Sequence, residues 1–310
     1  KEQQFRFSKQ KINVIRSIDT LVIDEISMVR ADLLDAVDSV LRRFRKNNLP
    51  FGGVQMVMIG DLGQLAPVAK DDEWQMLSRY YATPYFFSSL ALQRTRYAIV
   101  ELTKVYRQSD KRFLDILNKV RENRADAAVL SALNSRYIPD FKPRKEDGYI
   151  RLTTHNWQAQ RINDHELELL PGKPYTYTAT IEGKYPEMLF PTDETLTLKT
   201  GAQVMFVKND SSADKAYYNG MIGTIAAIDA EGFTVTATDT GENIRVQPEQ
   251  WDNTRYVLNE NTNEISEEVE GTFTQFPVKM AWAITVHKSQ GLTFEHAIID
   301  ASRSFSYGQT

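Results

Sequence analysis

Two acids stand side by side at the end of an apolar run, Leu21-Val22-Ile23-Asp24-Glu25. A second run, Met56-Val57-Met58-Ile59-Gly60-Asp61, ends in an acid followed by Leu62-Gly63-Gln64. Adjacent carboxylates at a strand end can hold magnesium and take a proton from an attacking water in nucleotide hydrolysis. On that reading Asp24 holds the metal through water and Glu25 is the general base. The same pair can instead cap the helix that follows, with Ser27 at its start. An amide just past a strand end, here Gln64, can hold a γ-phosphate or its attacking water; alternatively it only bonds the backbone of a glycine-rich turn. The usual companion of this chemistry is a Gly-x-x-x-x-Gly-Lys-Ser/Thr phosphate loop. The sequence has only Gly172-Lys173-Pro174 and Gly183-Lys184-Tyr185, and neither Gly-Lys pair is followed by Ser or Thr.

Three further groups carry polar chemistry. Arg107, in Tyr106-Arg107-Gln108, can reach a γ-phosphate across a cleft, or be a surface arginine. Thr153-Thr154-His155-Asn156 can bind phosphates at a strand end through side chains and a helix N-terminus; Thr or Asn can equally be the cap of that helix. Ala283-Ile284-Thr285-Val286-His287-Lys288-Ser289-Gln290-Gly291 crowds polar and basic groups behind an apolar strand. That suits sequence-tolerant contact with a single-stranded backbone, or a polar helix cap with solvated His and Lys. Trp157 and Trp282 are candidate base-stacking platforms or core residues.

The elements that must position these residues are legible in part. Residues 20–24 read as a buried parallel strand, and Leu33, Leu34, Val37, Val40, Leu41 and Phe44 as one face of a helix. Leu49-Pro50-Phe51-Gly52-Gly53 breaks that helix before a strand at 54–59. Strand, helix, strand makes a βαβ unit of an α/β sheet, with Asp24, Glu25 and Asp61 at the carboxyl ends where ligands bind. Ala98 to Leu102 reads as another strand, Phe113 to Arg121 as a helix, Tyr149 to Thr153 as a strand, and Trp157 to Leu167 as a helix. Alternation over 195–250 suggests several short strands in a small barrel. Val278 to Ile284 and His296 to Asp300 return to buried-strand character.

Composition sets outer bounds. The 310 residues suggest two or three domains; 42% are apolar and 25% charged, an ordinary soluble balance. There is no cysteine, which excludes a disulfide framework and cysteine zinc sites, and the four histidines show no ligand spacing. A net charge of −4 argues against indiscriminate wrapping of nucleic acid, but not against a narrow single-strand groove. The four glutamates between Glu264 and Glu270 read as a solvated loop. No apolar run approaches the length of a membrane span.

In order, these motifs resemble those of Pif-type DNA helicases, in the RecD-like branch of superfamily 1. Leu21 to Val29 resembles the second helicase motif, and the stretch Val37 to Arg42 is similar to the family's signature helix. Gly60-Asp61-Leu62-Gly63-Gln64-Leu65-Ala66-Pro67-Val68 resembles the third motif, and Leu102 to Gln108, with the helix to Arg121, the fourth. Gly201-Ala202-Gln203-Val204-Met205 and Asn219-Gly220-Met221-Ile222-Gly223 resemble an inserted Src-homology-type barrel. Met280 to Phe294 resembles the fifth motif closely. The resemblance implies an α/β fold with two RecA-like domains. The first, incomplete, would occupy 1–103; the second 104–185 and 274–310; the barrel 186–273.

It implies an ATP-driven, magnesium-dependent helicase moving 5′ to 3′ on single-stranded DNA and unwinding duplex or forked DNA, with roles in DNA repair, recombination and telomere maintenance. Asp24 would bind Mg2+, Glu25 would be the base, Gln64 would sense the γ-phosphate and Arg107 would be the arginine finger. Thr154, Asn156, Thr285, His287, Lys288 and Ser289 would line the DNA track, while Gly291 and Glu295 would approach the nucleotide. A monomeric motor is expected, without a membrane association. Its setting would be the cytoplasm of a bacterium, or the nucleus or mitochondrion of a eukaryote. Ala66 departs from a common proline of the family and Gly63 from a common aromatic. The first and sixth motifs are expected outside Lys1 and Thr310, so that the piece alone would hydrolyse no ATP. The alternative reading is a DNA-binding or scaffold protein that has lost its motor.

Overall fold

A computed structural model describes residues 7–106, 108–144, 147–258, 265–300 and 302–304. The described residues form two compact units. One draws on Val22–Arg42 and Asn48–Pro143, the other on Lys1–Leu21, Arg43–Asn47 and Arg144–Thr310.

After α1 (Lys9–Ser17) the chain enters β1 (Thr20–Ile23), α2 (Ala31–Arg45) and β2 (Gln55–Met58). The expected strand, helix, strand order is present, and β1 and β2 are hydrogen-bonded neighbours. In α2 the buried residues are Ala31, Leu34, Asp38 and Leu41, a stripe at helical spacing. The buried carboxylate in that stripe has a partner: Asp38 Oδ1 accepts the Phe51 N–H at 2.6 Å. The breaker Pro50–Gly53 is a 3₁₀ turn with Phe51 and Gly52 in left-handed backbone. A Cβ on Gly52 would fall 2.8 Å from the Leu41 carbonyl, so glycine is what lets the turn close on α2. The strands, however, are not buried on both faces: Val22, Val57 and Ile59 are exposed, and both strands alternate exposed with half-buried residues.

The helices α3 (Asp71–Leu77), α4 (Leu90–Gln93), α5 (Lys111–Arg121) and α6 (Ala127–Asn134) follow. Between α4 and α5 the expected strand at 98–102 is absent. Those residues are irregular, with Ile99, Val100 and Leu102 at 83%, 80% and 87% exposure. Among the described residues no strand pairs with this β-forming run, and without a ladder partner it does not hold as a strand.

In the second unit β3 (Ile150–Thr153) leads into α7 (Asn156–Leu169). A run of short strands comes next: β4 (Tyr175–Thr178), β5 (Thr180–Gly183), β6 (Thr195–Leu198), β7 (Gln203–Phe206), β8 (Ile222–Ile228), β9 (Phe233–Ala237) and β10 (Asn243–Val246). A long ribbon, β11 (Glu249–Leu258) with β12 (Ile265–Gln275), precedes β13 (Val278–Met280), β14 (Ala283–Thr285), α8 (Val286–Ser289) and β15 (Ala297–Ile299). Strands β10-β9-β8-β7-β13 make an antiparallel sheet. Its inward residues, Val204, Phe206, Ile225, Phe233, Val235 and Val246, share one core with Tyr177, Leu196 and Leu198 of β4 and β6. The alternation read over 195–250 is thus the alternation of this sheet.

The run Val278 to Ile284 is two strands in two sheets. Ala281 N–H still bonds Gln203 C=O of the antiparallel sheet, at 2.9 Å. The next carbonyl, that of Trp282, accepts from Arg151 N–H at 2.8 Å, in the parallel sheet β14-β3-β15. In that sheet β15 is a partly exposed edge, with Ile299 68% exposed, rather than a buried strand. β14, the other edge, is closed from the side by a buried asparagine. Asn163 of α7 donates to Ala283 C=O at 2.9 Å and accepts from Ala283 N–H at 2.8 Å.

Candidate functional site

Past Ile23 the chain turns sharply. Glu25 has φ 50 and ψ 43, left-handed backbone that is strained for a residue with a Cβ. Its N–H bonds Asp24 Oδ1 at 2.9 Å. It stands before a 3₁₀ turn, Ile26–Met28, but its side chain makes no capping bond, and α2 begins only at Ala31. Glu25 thus occupies the cap position of that turn without capping it through its side chain. The two strand ends are locked together: Ile59 N–H bonds Ile23 C=O and Ile26 N–H bonds Ile59 C=O, both at 2.9 Å. A Cβ on Gly60 would come 2.9 Å from the Ile26 side chain, so only glycine allows this approach. Ser27 is 1% exposed, its hydroxyl buried without a hydrogen-bond partner among the described residues.

Asp61 organises the turn after β2. Its Oδ1 accepts the Gly63 N–H at 2.9 Å; its main-chain carbonyl accepts the Gln64 N–H at 3.0 Å. Its Oδ2 accepts from Gln64 Nε2 at 3.3 Å and from Arg121 Nη2 at 2.5 Å. Partial burial pushes the carboxyl up, but the Gly63 N–H, the Arg121 guanidinium and the Gln64 amide together outweigh it and hold it below the usual carboxylate range. Gln64 is exposed, and its amide bonds a side chain rather than backbone alone. Sequence reasoning had no means of finding Arg121, which lies 60 residues from its partner. The only local signal was its place at the end of an amphipathic helix. Arg107 lies outside the described residues.

The second cluster sits at two neighbouring parallel strand ends, where Thr285 is in register with Thr153. Thr285 is the N-cap of α8, and its Oγ1 accepts the Lys288 N–H at 3.4 Å. Ser289 Oγ donates to Val286 C=O at 2.8 Å. His287 and Ser289 are half-buried and Lys288 is exposed. On the β3 side the cap residue of α7 is His155, whose side chain makes no capping bond, rather than Thr154 or Asn156. Thr154 is buried, with Oγ1 2.8 Å from His155 Nδ1 and 3.2 Å from Arg303 C=O. Asn156 is exposed. So is Trp157, at 47%, with the Arg303 guanidinium 5.2 Å from its ring centre. Trp282, by contrast, packs against the core of the antiparallel sheet. Gly291 has φ +79, and exposed Glu295 lines a small hollow with Asp147, Tyr218, Asp239 and His296. The six residues expected to line a DNA track and these two therefore belong to one unit, and Asp24, Glu25 and Gln64 to the other.

A family model described as PIF1-like helicase matches residues 3–129. Bacteroides sp Pif1 in complex with ADP-AlF4 matches with a TM-score of 0.90 and 41% identity, over 100% of this chain and 70% of that one. The chain belongs to the PIF1-like helicase family. Its α/β architecture is that of the solved helicase structures. Pif1 from Bacteroides in complex with ADP-AlF3 and ssDNA matches at a TM-score of 0.64 and 40% identity, over 99% of this chain and 70% of that one. The ATP-dependent DNA helicase Pif1 of Psychrobacter sp. (strain PRwf-1) is 34% identical over 97% of this chain, which spans about half of that relative, 52%. No described helix is long and apolar enough to cross a membrane.

Proposed function

We propose that the chain forms part of an ATP-dependent DNA helicase that translocates 5′ to 3′ on single-stranded DNA and unwinds duplex or forked DNA. The observation that carries this is the Asp24-Glu25 pair at the end of β1, locked by backbone hydrogen bonds beside the Asp61–Gln64 turn. In this reading Glu25 accepts the proton of the water that attacks the γ-phosphorus, and ADP leaves from the opposite side. Gln64 orients that water or the γ-phosphate. Arg107 neutralises charge on the transferring group. Among the described residues no three metal-ligating side chains come together. Mg2+ does not need such a group: it is commonly held by one or two carboxylates with substrate phosphates and water. The exposed Asp24 fits that mode, and the ion would supply charge compensation at the phosphates.

Exposed Asn156 and Lys288 would meet the DNA backbone, with His287 between them, while buried Thr154 and Thr285 and bonded Ser289 hold the two turns in shape. Trp157 would stack on a base. Gly291 and Glu295 would approach the nucleotide. Part of this proposal is a division into motor domains over 1–103 and over 104–185 with 274–310, and a barrel over 186–273. So are a monomeric motor and a bacterial cytoplasmic setting. The Psychrobacter relative supports a bacterial source, and the short antiparallel strands between residues 203 and 246 support the barrel.

The test is DNA-stimulated ATP hydrolysis by the full-length protein. Glu25→Gln should still bind ATP and single-stranded DNA yet turn over at least ~100-fold more slowly, the scale of a lost general base. Wild-type turnover in that variant would sink the assignment.

A further inference from the structure

Arg121 ends α5 and ties that helix to the turn after β2. Three donors converge on one carboxylate. Arg121 Nη2 reaches Asp61 Oδ2 at 2.5 Å, Gln64 Nε2 reaches the same oxygen at 3.3 Å, and the Gly63 N–H reaches Oδ1 at 2.9 Å. Asp61 thus holds the side chain of one neighbour, the backbone of another and the end of a distant helix. Gly63 leaves the space in which the arginine lies. A Cβ there would come 3.0 Å from Arg121 Cγ and 3.2 Å from its Nε. An isolated pair of exposed side chains is commonly incidental and worth little. A carboxylate that closes its own turn and also accepts a guanidinium is a network, with the geometry of its members interdependent.

The other end of α5 is fixed as well. Asp110 caps it, accepting the N–H groups of Arg112 and Phe113 at 2.8 and 3.1 Å. Arg107 stands three residues before that cap in sequence. α5 is a helix of 11 residues, a rod of about 16 Å at 1.5 Å per residue. One end of the rod is anchored on the Gln64 turn and the other follows directly from the arginine-finger segment.

We infer that Arg121 is a positioning residue for nucleotide sensing: through Asp61 it sets the Gln64 amide and links the sensor turn to the helix that follows Arg107. A rearrangement of Gln64 at the γ-phosphate then bears through Asp61 on the end of α5, and Arg121 itself touches no substrate. The inference rests on the reading of Gln64 as the sensor.

Its test uses full-length protein. Arg121→Ala should lower DNA-stimulated kcat about tenfold while KM for ATP changes less than about threefold, the pattern of an interaction that matters in the transition state. Arg121→Lys should recover part of the loss. Asp61→Asn combined with Arg121→Ala should be no worse than the poorer single variant, as expected of partners in one network. Gly63→Leu should follow Arg121→Ala. Thermal melting separates these effects from unfolding. A second readout needs no turnover: the NMR resonance of the Gly63 amide should lose its hydrogen-bonded shift in Arg121→Ala, while that of Ile59, bonded to Ile23, stays in place. An unchanged kcat, or an unmoved Gly63 resonance, overturns the inference. Wild-type turnover in Gln64→Ala overturns the sensor reading instead, and leaves the Gly63 result standing.

Discussion

The two strand-end clusters are built on one plan and held by different means. At β1 and β2 the acids and the amide sit on strands with an exposed face, and their turn is shaped by backbone: a left-handed Glu25, a close-packed Gly60 and an aspartate-closed loop. At β3 and β14 the strand ends are buried, with Ile150, Thr153, Ala283 and Thr285 all at 4% exposure or less. There, side chains do the shaping: Asn163 seals the edge, Thr285 caps α8 and Thr154 bridges to His155. The contrast follows from the chemistry proposed for each. A hydrolytic centre must admit water and phosphate, so its carboxylates stay accessible and its geometry comes from the chain itself. A track that grips a repetitive backbone needs a stiff frame with a few exposed contacts, and a buried sheet supplies the frame.

Stability should separate the two most widely. Phe233→Ala, in the core next to the track, should cost about 3–5 kcal/mol in denaturant unfolding, whereas Val57→Ser on the exposed face of β2 should cost no more than about 0.5 kcal/mol. Equal costs would break the contrast between a core-borne and a backbone-shaped site. On the track, Trp157→Ala should weaken binding to a dT oligonucleotide about tenfold, in line with one lost base stack, with an unchanged salt dependence. Lys288→Ala should instead reduce the slope of log affinity against log salt by about 0.7, one phosphate contact on a single strand. If both variants change the slope alike, the division into stacking and backbone contact is wrong.

The smallest expected effect concerns pH. The folded Asp61 carboxyl lies below its unfolded value, so its contribution is fully present above the ordinary carboxylate range and is lost as pH falls through the lower, folded value. Because Arg121 and Asp61 are partly exposed, the gain should stay under about 1 kcal/mol. Melting curves of Asp61→Asn against the unsubstituted protein should diverge above the ordinary carboxylate range and converge as pH falls through the lower, folded value. Curves that stay parallel would remove Asp61 from the turn's energetics.

Much of this was legible in the residues because periodicity reports burial directly. Leu34 and Leu41 announce the buried stripe of α2, and Phe233 and Val235 the inward face of β9. What was not legible is pairing. Residues 98–102 have strand-forming side chains, but local sequence does not say whether a neighbouring strand exists to receive them. Nor does it reveal that the backbone changes sheets between Ala281 and Trp282, because both sheets want apolar residues there. At the site, Asp24, Glu25 and Gln64 could be read from motif and strand end. Arg121 could not, as its role arises from a contact far along the chain, and neither could the backbone of Glu25, since glutamate carries no preference for left-handed conformations.

That backbone sets a trap for anyone improving the protein by heat. Glycine at position 25 would adopt the same φ without strain, and Glu25→Gly should raise the melting temperature by the equivalent of up to about 1 kcal/mol. A library ranked on survival of heating would therefore enrich glycine at the very residue on which turnover is proposed to depend. The most durable molecules in it would be the idle ones, and only a screen that also reads hydrolysis would keep the glutamate.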